Sequence, residues 1–330
     1  CQRRLGLTLP TLKTTLLSGK DCLMALLNFK RKDTPATTPT SPEMEAFLQD
    51  YSIEVMPRTA EKGDNFRDLL PAGTRVYIAH IEGTPIEDMV ATAKRLNNDG
   101  FRDMPHYPAR IIKDEATLAD WIARYQGEAD VKQALMLAGG VEKPHGDFHS
   151  SMHLLETGSF DKAGFERLHV AGHPEGNKDI DPDGSMKNVD EALQWKQKFS
   201  ERTDAKMALA TQFAFDAKPI IEWANGVKAA GVDLPIHIGI AGPAKLQTLI
   251  KFAIACGVGP SLKVLQKRAM DVSKLLLPYE PNDVISALAA HKAANPDFNI
   301  TNVHFFPLGG IKTNANWAIS NGGASAVPAA

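Results

Sequence analysis

The chain has 330 residues, 43% of them hydrophobic, 23% charged and 7% aromatic, with 37 Lys and Arg against 39 Asp and Glu and a net charge of −2. That composition is globular rather than disordered or fibrous. A near-neutral balance with a pI of 6.6 argues against general nucleic-acid binding, and no apolar run reaches the roughly 20 residues that span a bilayer. Cys1, Cys22 and Cys256 make no disulfide framework, which points to a reducing, cytoplasmic setting.

In chain order, residues 1–23 carry basic residues and scattered leucines but no secretory apolar core. Met24 opens MALLNFKRKD like a natural start, so 1–23 is expected to be an upstream extension. Residues 24–49 read as an N-terminal helix and linker, with a Thr/Pro/Ser stretch over 30–43 that can bury little surface.

Residues 50–310 alternate between β-rich runs and helical patterns. The runs fall at 51–56, 75–81, 101–107, 132–138, 167–173, 206–213, 235–241 and 302–308. Thr84-Pro85-Ile86-Glu87 reads as a capping box with Pro at the first helical position. Ile86, Met89, Val90, Ala93 and Leu96 then mark one apolar face, ending at Gly100. A second helix is expected from Asp216, burying Ile220, Ile221, Ala224 and Val227, to Gly231. A third runs from Pro243 through Leu246, Leu249, Ile250, Ala253 and Ile254 to Gly257. The segment 260–301 has room for two helices split near Pro278 and Pro281. Residues 311–330 read as a C-terminal tail, with disorder expected at NGGASAVPAA. Strands that alternate with helices imply parallel crossovers, and eight of them close a single (β/α)8 TIM-type barrel. An open doubly wound sheet would want a GxGxxG turn after its first strand, which is missing.

Barrel chemistry sits at the C-terminal ends of the strands. The first run supplies Glu54, an acid in an otherwise apolar strand, and a buried carboxylate is costly unless paired, hydrated or functional. The third offers His106 and the fourth Ala138-Gly139-Gly140, bare backbone that lets a flat ligand approach. The fifth ends in His173-Pro174-Glu175, the sixth in Gln212-Phe213, and the eighth in Phe306. One acid, one amide, imidazoles, glycines and aromatics suit a flat heterocycle better than a sugar phosphate.

The ordered set SIEVMPR, MPHYPAR, LAGG, HPEGNK, ATQFAFD and VHFFPLGG resembles the methylenetetrahydrofolate reductase family over nearly all of residues 50–310. The resemblance implies a (β/α)8 barrel of one-carbon metabolism, usually with FAD, that reduces 5,10-methylenetetrahydrofolate to 5-methyltetrahydrofolate with NADH or NADPH, a step toward methionine. It implies that Glu54 is the general acid that opens the folate's five-membered ring. Such an acid needs its pKa raised by a partly apolar site, for which Ile53 and Val55 are suitable neighbours. Gln212 matches the glutamine that binds the pterin, since an amide both donates and accepts. His106 matches a histidine near the flavin, and Ala138, Gly139 and Gly140 match the segment along its ring. Leu246 stands where the family has a substrate-stacking aromatic. Phe213 and Phe306 join as substrate-binding candidates, and His173 and Glu175 as cofactor-binding candidates, from their places at strand ends. In a helix expected over 186–201, Glu191, Gln194 and Lys198 share one face and match positions that hold the adenylate and diphosphate.

The sequence departs from the family where a flavin would lie. An Arg-Gly-Asp at the end of the fourth strand is here Ala138-Gly139-Gly140, and a Phe-Phe pair in the first is Val55-Met56. FAD is therefore in doubt, and direct hydride transfer from nicotinamide to folate is the expectation. Two alternatives stay open: a folate-binding or regulatory barrel without turnover, and a deazaflavin-dependent reductase. A homo-oligomer is compatible with the helical exterior.

Other motifs carry less. His145, His149 and His153 recur at helical spacing but span Gly146 and lack a fourth ligand, so no metal is expected. Asp179-Ile180-Asp181-Pro182-Asp183-Gly184 imitates a calcium loop, yet Pro182 and Lys187 are wrong for one. It reads as a turn capping the next helix. Cys256 reads as core.

Overall fold

A computed structural model describes residues 40–62, 65–270 and 277–324. Residues 1–23, their expected extension, and most of the Thr/Pro/Ser linker lie outside the described residues.

Eight parallel strands close into one barrel in sequence order. Helix α1 (Pro42–Phe47) precedes β1 (Ser52–Val55), and α2 (Pro57–Lys62) leads to β2 (Arg75–Ile78). Then come α3 (Ile86–Asn98), β3 (Arg102–Pro108), α4 (Glu115–Ala129), β4 (Gln133–Leu137), and the short α5 (Ser151–Glu156) and α6 (Ser159–Lys162). Next are β5 (Arg167–Gly172), α7 (Lys187–Ser200), β6 (Lys206–Ala214), α8 (Ala217–Ala229) and β7 (Ile236–Ala241). The last turn of the barrel holds α9 (Leu246–Ala255), α10 (Gly259–Met270), α11 (Asn282–Ala294), β8 (Ile300–Phe306) and α12 (Ile311–Ser320). All eight expected strands form, seven of them within two residues of their predicted bounds; β2 ends at Ile78, three residues short of the expected Ile81. Closure joins β1 to β8, with Ser52 opposite His304 and Ile53 opposite Phe305.

The period of two along each strand sorts the core. Outward residues such as Ile53, Val55, Val76, Ile78, Leu168, Val170, Ile238 and Val303 pack under the helices in one continuous cluster. Inside the barrel, Tyr77, Met104, Leu135 and Ala210 form a separate small cluster.

The register shifts between Ala210 and Phe213 where β6 meets β7. There the β6 backbone presses on β7, and a Cβ on Gly239 would stand 2.4 Å from the Thr211 carbonyl oxygen. Only glycine fits, and its N–H donates to Thr211 Oγ1 at 2.8 Å. The irregularity sets the aim of Gln212, the residue that follows.

Helix α8 starts as expected, with Asp216 accepting from the Lys218 N–H. In α3 the expected apolar face is buried apart from Ile86, which is partly buried, but the capping box is absent. Pro85 is the N-cap, without a side-chain cap bond, and the Thr84 carbonyl accepts from His80 Nε2. Helix α9 begins at Leu246 rather than Pro243, because Ala244 is held extended in an antiparallel bridge to Tyr279. Ile254, expected on its apolar face, is exposed, as is Cys256.

The tail expected over 311–330 is corrected over its first half. Residues 311–320 are α12, whose Asn314, Trp317 and Ala318 are buried. Trp317 sets its ring edge-on to Phe305 and donates to Asn282 Oδ1 at 3.2 Å. The calcium-like loop is a cap, as read: Asp181 accepts from the Asn188 and Val189 N–H groups, both at 3.0 Å, at the start of α7.

Candidate active site

Glu54 reaches the barrel interior because β1 alternates Ser52 in, Ile53 out, Glu54 in, Val55 out. Its side chain keeps 20% of its exposure. Glu54 Oε2 lies 3.5 Å from His106 Nε2 on β3 and 3.8 Å from His304 Nε2 on β8. These spacings are longer than made hydrogen bonds, as is common in a site before its ligand closes it. His304 is fixed on its other side, where Nδ1 lies 3.0 Å from Ser52 Oγ. Its ring packs on Tyr77 at 4.3 Å and edge-on to Phe306 at 4.9 Å. Tyr77 in turn meets His169 Nδ1 at 2.5 Å, and the His169 and His237 rings lie 4.6 Å apart.

Burial is the largest influence on Glu54 and pushes its pKa up, but the approach of His304 and the charges of His106 and His304 bring it below the ordinary value. Burial pushes His106 down to about 4, with the Glu54 charge opposing. His106 is thus neutral at pH 7. The expected raised pKa of Glu54 is not found in the free protein. The interior imidazoles, more than the apolar neighbours Ile53 and Val55, set its environment. His169 and His237 are held well below the usual histidine value, by burial above all.

The other candidates scatter around this centre. Gln212 is half-buried, and its Oε1 accepts from the next residue's N–H, Phe213, at 3.1 Å. Phe213 and Leu246 are buried together in one cluster against Phe306. Contacts run from Phe213 to Phe306 at 5.3 Å and from Phe306 to His304, so Gln212 is tied through its neighbour to the ring beside Glu54. The Ala138 carbonyl accepts from the Arg110 N–H at 2.9 Å. Gly139 has φ +97, and a Cβ there would lie 3.1 Å from the Pro108 Cβ; Gly140 borders open space.

His173 is driven down to about 4 by burial, aided by Lys196. Glu175 holds the N-terminal turn of α10, accepting from the N–H and Oγ of Ser261. On α7, Gln194 donates to the Ala230 carbonyl at 2.7 Å, past the end of α8. That places it toward the barrel end opposite the strand C-termini. Glu191 and Lys198, a turn to either side, are exposed.

Several residues at the site were not singled out in the sequence. Ser52, Tyr77, His169, His237 and His304 all stand between apolar neighbours, so strand alternation puts each on the face opposite those neighbours, and closure of the barrel turns that face inward. Lys196 is buried, donates to the Ala171 carbonyl at 2.8 Å, and has its pKa pulled down to about 8 by burial. His145 pairs with Glu82 at 2.8 Å, and His153 Nδ1 accepts from the His149 N–H. Among the described residues no three His, Cys, Asp or Glu side chains gather to hold a metal ion. No helix among them is long and apolar enough to cross a membrane.

No known family model matches the sequence. Among solved structures, the chain is similar to an uncharacterized protein from Clostridium thermocellum described as binding two copies of 5-methyl-5,6,7,8-tetrahydrofolic acid. The TM-score is 0.52 at 11% identity, over 84% of this chain and 95% of that one. At that identity the likeness is one of fold.

Proposed function

We propose that this protein binds a reduced folate in the mouth of its barrel and reduces 5,10-methylenetetrahydrofolate to 5-methyltetrahydrofolate, with NADH or NADPH as hydride donor. The observation that carries the reading is Glu54, one partly open carboxyl on the inner face of β1, set between the Nε2 atoms of two imidazoles. The resemblance of the strand-end motifs supports it, and so does the folate held by a protein of similar fold.

In this reading Glu54 gives its proton to a folate nitrogen, the five-membered ring opens to an iminium, and the hydride adds to the methylene carbon. The proton and the hydride together account for the two-electron reduction. Glu54 must be protonated to begin, and a bound pterin favours that by displacing the water left on the carboxyl. Gln212 reads the pterin edge once its Oε1 leaves the Phe213 N–H.

FAD fits this donor set poorly. The segment expected along its ring offers backbone alone, with the Ala138 carbonyl already engaged. Gln194 is committed to Ala230. Arg110 is committed to the Val141 and His149 carbonyls and to Asp179. The hydride is therefore assigned to pass directly between nicotinamide and folate, where holding the two carbons in contact supplies much of the rate. The test is oxidation of NADH or NADPH by purified protein, dependent on methylenetetrahydrofolate and without added flavin, alongside a cofactor inventory. Stoichiometric FAD in the purified protein counts against direct transfer.

A further inference from the structure

Ser52, His304 and Glu54 lie in line across the seam where β8 closes on β1. The pairing sets Ser52 opposite His304, so both side chains and that of Glu54 meet on the inner face. Ser52 and His304 are 0% and 1% exposed. The imidazole is wedged between Tyr77 and Phe306, with Ser52 Oγ on Nδ1 at 3.0 Å and Glu54 Oε2 facing Nε2 at 3.8 Å. Held this way, the ring turns one nitrogen to the Ser52 hydroxyl and the other to the Glu54 carboxyl.

We propose that His304 is a positioning residue for the reductase reaction: Ser52 donates to Nδ1, so the ring N–H is on Nε2 and aimed at the Glu54 carboxyl. The inference rests on the reductase reading. When the Glu54 proton passes to the folate nitrogen, the carboxylate left behind meets a donor already in place, as electrostatic catalysis requires. In that step one O–H bond breaks and one N–H bond forms, and the imidazole keeps its own proton. His106 on β3 also faces Glu54, but His304 is distinguished by the hydroxyl on its far nitrogen. The other titratable groups around the pair are Tyr77 on β2, His169 and His237 across the interior, and Cys256 after α9, which the Glu54 charge reaches.

Two measurements on the full-length protein test this. The first is the titration of the Glu54 carboxyl by carbon NMR, without folate, in wild type, His304→Leu, His304→Gln and Ser52→Ala. Losing the N–H should raise the Glu54 pKa by about one unit, a tenfold change in proton affinity. Ser52→Ala should raise it by less, and His304→Gln, which keeps an amide donor, should restore it. The second is the pH profile of folate-dependent NADH or NADPH oxidation. His304→Leu should lower kcat about 10-fold or more with little change in KM, and move the fall in rate at high pH further upward. Wild-type turnover with an unmoved Glu54 titration overturns the proposal alone. A kcat loss with an unshifted profile also overturns it, marking a structural defect. Absence of wild-type turnover overturns the reductase reading, and the role of His304 in it, whatever the titration shows.

Discussion

Glu54 Oε2 and His106 Nε2 face each other at 3.5 Å in the barrel mouth, and that buried nitrogen makes no hydrogen bond. An acid whose pKa is held low by imidazoles, in a site where burial already pulls the other way, is poised to change protonation when a ligand excludes the remaining water.

Folate binding should therefore take up protons. Covering the mouth adds to burial, the largest influence on Glu54, and raises its pKa on binding. Calorimetry near pH 7 in two buffers of different ionisation enthalpy should show uptake of up to about one proton, with affinity falling as pH rises. Glu54→Gln should abolish the uptake. Equal binding enthalpies in the two buffers for the wild type count against this.

Asp103 gives a pH effect away from the site. It lies on the outer face of β3, 4% exposed, with Oδ2 unpartnered, and burial pushes its pKa up to about 7. Between the unfolded value of 3.8 and about 7 the native state holds the extra proton. This residue's contribution to stability thus falls as pH rises through that window and is flat above it. Asp103→Asn should remove that slope, gaining about 4 kcal/mol over wild type at pH 8 relative to pH 3.5, as an upper bound. Chemical denaturation of both proteins across that range checks it; parallel stability curves contradict it. His106 and His173 act in the opposite sense, since their depressed values near 4 withdraw stability as pH falls below about 6.5.

Asp181 anchors α7 through two backbone amides and the Ser185 hydroxyl. Asp181→Ala should cost about 1–2 kcal/mol, and Asp181→Asn less. Urea midpoints measure this. A wild-type midpoint in the alanine variant would remove the cap from the account.

The barrel was legible because β-rich runs and amphipathic helices alternate strictly, with Gly100, Gly231 and Gly257 closing helices at positive φ. Glu54 stood out as a charge in an apolar strand. His169, His237 and His304 did not, because a histidine between apolar strand residues reads equally well as core until closure decides which face is inside. Lys196 was hidden because it lies on the opposite face of α7 from Glu191, Gln194 and Lys198, buried with Val189, Leu193 and Phe199, where its amine donates to the Ala171 carbonyl. The Thr84 box failed because local pattern cannot see that the Thr84 N–H, which the Glu87 side chain would have to accept, already donates to the Ile81 carbonyl. The small residues after Ser320 masked Trp317, whose contact with Phe305 makes 311–320 part of the barrel.

The most direct test is the steady-state rate of methylenetetrahydrofolate-dependent NADH or NADPH oxidation by wild type and Glu54→Gln, measured without added flavin. The wild type should turn over, and the variant should lose about 100-fold or more in kcat, the usual scale for removing a general acid. A Glu54→Gln protein that works as fast as the wild type, or a folded wild type that oxidises neither nucleotide, contradicts the account.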